Sequence, residues 1–260
     1  METRKKIALV LGGGGALGCA HIGVIKVLKK YNIPIDIVVG TSMGGVVGAA
    51  YAVGLDIDQM TSFATKFKTT DFLDVNFDAS GLFSGKGVMN NIHKFIPDVN
   101  IESLDTVFAC VASDLMSEKE YVFQTGSLRE AVRATLSIPG IFVPVKKDDM
   151  LLVDGGILNN LPEEVAVKLG ADIIISSDVL ANFKLTQAPK NAIETLVYSI
   201  NLSTKEMQKY KAYHADVLLR PDMTGLGQMI FTKKKTELAI ARGEEETEEH
   251  IQEIIEKINE

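Results

Sequence analysis

Short, fully apolar runs that stop at glycine alternate along the first third of this chain with longer stretches in which apolar residues recur every three or four positions. Ile7 to Leu11 is the first such run and halts at four consecutive glycines. A continuous apolar run of this length bounded by glycine predicts a strand buried on both faces. Ala16 to Tyr31 then carries Leu17, Ala20, Val24, Val27 and Leu28 at helical spacing, with Lys29 and Lys30 in the last turn. A second buried strand is expected over Ile35 to Val39, and a tightly packed helix over Val46 to Val53. Alternation of strand and helix implies a parallel sheet with both faces covered.

The pattern continues with a helix over Ile57 to Phe67 capped by Asp56, an irregular stretch over residues 68 to 86, and a helix from Val88 to Ile96. Strands are predicted at Val107 to Ala112, Glu120 to Phe123, Leu151 to Val153, Asp172 to Ser176 and Val217 to Leu219. Between them lie a helix from the capping-box pattern at Ser127 to Glu130 up to Leu136, a helix from Pro162 to Leu169, and a long helix from Ala192 to about Lys211. The tail, 233–260, reads as a helix with Leu238, Ile251, Ile254, Ile255 and Ile258 as its buried stripe and Glu244 to Glu249 as a solvated face. With no linker, repeat or low-complexity block, the 260 residues read as one α/β domain, with a mostly parallel central sheet and helices on both faces.

Composition narrows the options. The chain is 46% hydrophobic and 23% charged, an ordinary globular balance, and its net charge of −7 provides no basic field for nucleic acid. The two cysteines, Cys19 and Cys110, have no metal-ligand spacing and fit a reducing compartment. No apolar run approaches the ~20 residues of a membrane-spanning helix. Arg4-Lys5-Lys6 before the first apolar run, with Ala16-Leu17-Gly18-Cys19 after it, has the outline of a lipoprotein signal. Four glycines in the would-be hydrophobic region argue against it, since each costs a helix about 1 kcal/mol relative to alanine. The expectation is a cytoplasmic chain, peripheral at the inner membrane face.

The glycine loop itself is ambiguous. Gly13, Gly15 and Gly18 match G-x-G-x-x-G, yet the acid expected near the end of the next strand is missing, because Asp36 stands at that strand's beginning. A P-loop needs Gly-Lys-Ser/Thr, whereas the chain continues Gly18-Cys19-Ala20. No nucleotide is therefore expected. Gly40-Thr41-Ser42-Met43-Gly44 is G-x-S-x-G at a predicted strand-to-helix junction, the context of a nucleophilic serine. Such a hydroxyl needs a base. His21, His93, His214 and His250 all fall outside glycine-rich strand ends, whereas Asp154-Gly155-Gly156 stands at one. Carboxyl ends of strands are where open α/β sheets bind ligands. An aspartate there can accept the serine proton if close contact and desolvation raise its pKa above the usual 3.9 or so. Consecutive glycines at the end of the neighbouring strand can then turn their N–H groups toward an oxyanion.

Together Gly13-Gly14-Gly15-Ala16-Leu17-Gly18, Gly40-Thr41-Ser42-Met43-Gly44-Gly45 and Asp154-Gly155-Gly156 resemble the patatin-like phospholipase family. Ser113-Asp114-Leu115 and Ala131 to Gly140 add to the likeness, which covers roughly residues 6–180. The resemblance implies a three-layer α/β/α fold and a lipid acyl hydrolase that cleaves phospholipid or lysophospholipid esters through an acyl-enzyme. It implies Ser42 as nucleophile, Asp154 as base, and amides of Gly13, Gly14 and Gly15 as oxyanion hole, with no metal and no cofactor. One departure is Leu17, where the family often carries a cation. Two other readings remain: an α/β-hydrolase triad of Ser42, Asp178 and His214, and a lipid-binding protein without catalysis on the same scaffold. A transient contact with a membrane surface would use Gly81-Leu82-Phe83, or Gly227 to Phe231 with the basic Lys233-Lys234-Lys235 beyond it.

Overall fold

A computed structural model describes residues 4–72, 74, 81–211 and 213–260. Five strands form a parallel block: β1 (Ile7–Leu11), β2 (Ile37–Thr41), β3 (Val107–Asp114), β7 (Ile173–Ser177) and β8 (Val217–Leu219). They lie in the order β3-β2-β1-β7-β8, and β1 and β2 stand in register with Leu11 opposite Gly40. The other three strands, β4 (Lys119–Phe123), β5 (Val145–Lys147) and β6 (Met150–Asp154), pair antiparallel. The sheet is thus parallel at its centre and antiparallel beyond β3.

How β3 is shared fixes the geometry of the site. Its residues Val107 to Val111 pair with β2, and Cys110 to Asp114 pair with β4 on the opposite edge. Residues Ala112 to Asp114 also pair with β6. Because β4 already occupies one edge, β6 must follow β2 along the other. Two strands therefore approach along one edge of β3 from opposite directions and stop end to end, with Thr41 opposite Val111 and Asp154 opposite Ala112.

Side chains alternate across this sheet as strand geometry requires. One face, with Ala8, Val10, Ile37, Val39, Ala109 and Val111, packs on α6 (Glu163–Lys168). The other, with Leu9, Leu11, Val38, Phe108 and Cys110, packs on α1 (Ala20–Lys30), α2 (Met43–Ala52), α5 (Leu128–Thr135) and α8 (Lys233–Asn259). Outer helices α3 (Ile57–Lys66), α4 (Lys86–Ile92) and α7 (Ala192–Gln208) complete the set. The Asp56 capping box is present with Gln59, and the Ser127 side chain caps α5 through the Glu130 N–H.

Several boundaries differ from the sequence pattern. The expected helix over Ala16 to Tyr31 opens as a 3-10 turn, Gly15–Cys19, because the loop glycines do not sustain an α-helix. The second strand runs two residues later than expected and ends at Thr41, just before the serine, and α2 begins at Met43, three residues early. The edge strand β5 carried no apolar run and was not foreseen. Leu238 is 42% exposed rather than part of the buried stripe of α8. The acidic run is not merely solvated: Glu244 pairs with Lys26 at 2.8 Å and Glu248 with Lys30 at 2.6 Å. Within the expected irregular stretch 68–86, Thr69–Phe72 forms a 3-10 turn, and residues 73 and 75–80 lie outside the described residues.

α1 and α8 touch backbone to backbone. A Cβ on Gly243 would stand 2.0 Å from the Ala20 carbonyl oxygen, and one on Gly23 would stand 2.1 Å from that of Ile240. The surface ion pairs across this contact add little, about 0–1 kcal/mol each. The close approach does more, so Gly243→Leu is expected to cost roughly 1–3 kcal/mol or more through overpacking. Thermal unfolding followed by circular dichroism should show a Tm lower by about 4–10 °C, whereas the exposed Leu238→Ala should leave Tm nearly unchanged.

Candidate active site

The chain turns sharply where β2 meets α2. Ser42 sits at φ 54, ψ −125, in a sparsely populated region of backbone space. A Cβ on Gly44 would meet the Leu11 carbonyl oxygen at 2.0 Å, so this turn closes only with glycine there. Thr135, at the end of α5, holds the turn: its Oγ1 accepts the Ser42 N–H at 2.8 Å and donates to the Val111 carbonyl at 2.6 Å. Sequence reasoning placed Thr135 on a helix but gave it no task.

Ser42 Oγ donates to Asp154 Oδ2 at 2.6 Å. The end-to-end meeting of β2 and β6 accounts for this contact, since Thr41, just before the serine, and Asp154 stand at successive levels beside β3. Asp154 is fixed at three points. Its N–H donates to the Ser137 carbonyl at 2.9 Å, Oδ1 accepts the Gly156 N–H at 2.8 Å, and Oδ2 faces the serine. Burial pushes the carboxyl up to about 6, partly opposed by the hydrogen bonds from Ser42 and Gly156. A carboxylate with raised proton affinity within hydrogen-bond reach of a hydroxyl has the geometry that proton abstraction requires.

The glycine loop lies beside them. The Gly12 N–H donates to Ser177 O at 3.0 Å, the Gly13 N–H to Asn160 O at 3.3 Å, and the Ala16 N–H to Gln228 O at 2.7 Å. Gly15 adopts φ 57, and a Cβ there would stand 2.4 Å from the Gln228 carbonyl oxygen. His21 braces the loop from beneath. Its Nε2 faces the Gly12 carbonyl at 2.8 Å and must carry the proton, leaving Nδ1 to accept from Ser177 Oγ at 3.0 Å. Burial lowers its pKa to about 4, so it stays neutral.

These parts line a cleft open to solvent, about 470 Å³ including the space at its mouth, formed by Gly13 to Gly15, Ser42, Asp154, Asn160 and the inner side of α7. Its polar groups are neutral apart from Asp154, with Asn201, Thr204 and Gln228 on the far wall. Thr204 Oγ1 donates to Gly156 O at 3.0 Å, and Asn201 hydrogen-bonds Gln228. Among the described residues, Gln228 Nε2 is buried without a partner. No histidine lines this space. Asp178 caps the Leu180 and Ala181 amides, and the His214 N–H donates to Glu163, so the alternative triad is not assembled around Ser42. Leu17 is buried against the core and brings nothing to the cavity. Asn160, Asn201, Thr204 and Gln228 were all missed in the sequence. An amide side chain inside the apolar run Leu226 to Phe231 was the available signal for Gln228.

Asp154 binds its proton more tightly in the folded protein than in an unfolded chain. Its contribution to stability is therefore full below about pH 4 and is lost as pH rises toward 6. Above pH 6 the buried charge costs on the order of 2–3 kcal/mol. Asp154→Asn is thus expected to unfold at a higher temperature than the wild-type chain at pH 7, with the gap closing by pH 4, in parallel calorimetric scans.

A family model described as patatin-like phospholipase matches residues 9–167. Human patatin-like phospholipase domain-containing protein 6 is 37% identical over 190 residues, covering 68% of this chain and 14% of that protein. A Mycobacterium bovis protein described as an uncharacterized NTE family protein is 37% identical over 178 residues, covering 67% of this chain and 49% of its own length. The chain thus spans at most about half of these relatives. Among solved structures, VipD from Legionella pneumophila superposes with a TM-score of 0.56 at 14% identity, covering 95% of this chain and 66% of that one. Human GIVD cytosolic phospholipase A2, in complex with methyl γ-linolenyl fluorophosphonate, gives 0.56 at 11%, covering 98% and 58%. With the α/β sheet, the glycine loop, the serine turn and the aspartate in this arrangement, the chain belongs to the patatin-like phospholipase family.

Proposed function

We propose that this protein is a serine acyl hydrolase that cleaves lipid carboxylic esters through a Ser42–Asp154 dyad. The observation that carries the reading is the 2.6 Å contact between the serine hydroxyl and a buried carboxylate whose pKa is raised to about 6. Asp154 takes the proton as Ser42 Oγ attacks the ester carbonyl, and returns it to the departing alkoxide. Water then attacks the acyl-enzyme with Asp154 again as base, releasing the fatty acid and freeing Ser42. The tetrahedral oxyanion is met by amides of the glycine loop. Gly13 already donates to Asn160 through a long bond, so the amides of Gly14 and Gly15 carry most of this task.

A second cavity supports a lipid acyl group as substrate. It spans about 530 Å³ including the solvent at its opening and is walled entirely by apolar and sulfur-bearing side chains, among them Met43, Val47, Ala64, Phe67 and Phe231. Ser42, Ile138 and Met229 line the first cavity and their near neighbours in the chain Met43, Leu136 and Phe231 line the second, so the two lie close together at the serine turn. The acyl chain enters the apolar cavity past the flexible Met43 side chain, while the alcohol part faces Asn201, Thr204 and Gln228. The relatives named as phospholipase domain proteins agree with this substrate class.

Ser42→Ala is expected to remove hydrolysis of p-nitrophenyl esters at every chain length. Ala64→Phe, which fills the apolar cavity, should lower kcat/KM for a palmitoyl ester at least tenfold while leaving the butyryl ester within about threefold, since one lost apolar contact set is worth ~1–3 kcal/mol. Full turnover by Ser42→Ala would rule out the dyad, and an unchanged chain-length profile in Ala64→Phe would rule out the acyl cavity.

A further inference from the structure

The loop Gly227 to Phe231, one of the two candidate membrane contacts in the sequence, is turned inward: Gln228 is 1% and Phe231 4% exposed. The apolar surface near the cavity lies instead on α7. This helix lines the catalytic cavity with Val197, Ile200, Asn201 and Thr204, and only Val197 and Thr204 of its residues are fully buried. Its other side faces solvent and carries Leu196 and Leu202, the latter 70% exposed, with Met207 in its last turn and Tyr210, 83% exposed, just beyond. From Thr195 to Thr204 it contains no charged residue at all. A helix with a solvated outer face ordinarily fills it with charge. The next strand of chain before it adds Leu185, 47% exposed. Apolar side chains gathered on one exposed face mark an interaction site.

The charges around this face favour one kind of partner. Between residues 184 and 211 five lysines stand against two glutamates, in a chain whose net charge is −7. Lys184, Lys190 and Lys235 line one shallow basin at the start of α7, together with Glu194. Lys235 comes from the basic run noted in the sequence. Lys209 pairs with Glu206, Lys211 with Glu164, and Lys205 donates to the Phe183 carbonyl. The basin at the start of the helix therefore carries the positive excess.

We propose that the outer face of α7 docks on an anionic lipid bilayer, with Leu196, Leu202 and Tyr210 entering the interface and Lys184, Lys190 and Lys235 meeting the headgroups. An interfacial helix of this kind lies flat, its apolar side in the acyl boundary, and each nearby lysine adds to the attraction. Among the described residues no helix is long and apolar enough to cross a membrane, so the contact is peripheral. The geometry also gives the docking a purpose. The same helix that rests on the bilayer forms a wall of the catalytic cavity, so a lipid leaving the membrane beside α7 reaches Ser42 without crossing bulk water. This step builds on the lipid hydrolase reading, but the docking is measurable without any turnover.

The experiment is flotation of the purified full chain with vesicles of phosphatidylcholine alone and with vesicles containing about a third phosphatidylglycerol, at low and high salt. The wild-type chain should float with the anionic vesicles and remain behind with the neutral ones, and salt should weaken the binding. Leu202→Asp with Tyr210→Asp should reduce the bound fraction roughly tenfold, as should Lys184→Glu with Lys190→Glu. Hydrolysis of the water-soluble p-nitrophenyl butyrate should be unchanged in both variants, which shows that fold and site are intact. Equal flotation of the wild type and the Leu202/Tyr210 variant would overturn the proposal. So would a wild-type dimer in light scattering that this variant converts to monomer, since the face would then be a contact between copies. Vesicle binding by a chain that hydrolyses no ester would uphold the docking and remove the hydrolase reading instead.

Discussion

The proposed dyad depends on two strands ending against each other along one edge of β3. β2 arrives from one direction and delivers Ser42, and β6 arrives from the other and delivers Asp154. A serine and an aspartate 112 residues apart are thereby brought to 2.6 Å. In a purely parallel sheet a second strand could not end facing the first on the same edge. The antiparallel β6 is thus the structural condition for the contact between Ser42 and Asp154. The surrounding contacts hold that meeting point: Thr135 grips the serine amide, Ser137 the aspartate amide, and Gly156 the second carboxylate oxygen.

The arrangement stores cost at the place where it works. Ser42 keeps a backbone conformation worth about 1–3 kcal/mol of strain, and Asp154 is a carboxyl deprived of water. Neither would persist without a core that over-determines it. That core is supplied by the parallel strands, of which β1, β2 and β7 are buried throughout, and by the backbone contact between α1 and α8. Neutral His21 extends the same logic to the glycine loop, tying the Gly12 carbonyl to Ser177 at the end of β7. The buried thiols stay out of the chemistry. Desolvation raises the Cys19 thiol to about 12 and the Cys110 thiol further still, so neither forms a thiolate.

The parallel half of the fold was plain in the sequence because its strands are buried on both faces and read as unbroken apolar runs. Ile7 to Leu11 and Val217 to Leu219 were placed to the residue. The antiparallel half was less legible. Val145 to Lys147 is an edge strand with two lysines, and its pairing depends on partners that local pattern does not name. The three motifs that carry the site were visible because sharp turns and close backbone approaches demand glycine. The walls of the cavity were not, since Asn201, Thr204 and Gln228 are ordinary polar residues until the fold turns them inward. One of the two candidate membrane contacts, Gly227 to Phe231, is turned inward for a related reason. Phe231 in a glycine-rich segment looks exposed in sequence, yet it forms part of the wall of the apolar cavity, while the apolar residues of α7 scan as a conventional amphipathic helix until its outer side is seen to be uncovered.

The central claim is that Asp154, and no histidine, activates Ser42. It is tested most directly by the pH dependence of covalent labelling of Ser42 by an alkyl fluorophosphonate, read as intact mass against time. The rate should rise with pH through a single ionisation near 6 in the wild-type chain. It should fall by about 10²-fold or more, and lose that ionisation, in Asp154→Asn, given the 10²–10⁴-fold typical of a positioned base. It should be unaffected by His214→Ala. Labelling that keeps its rate and its pH profile in Asp154→Asn would contradict the account.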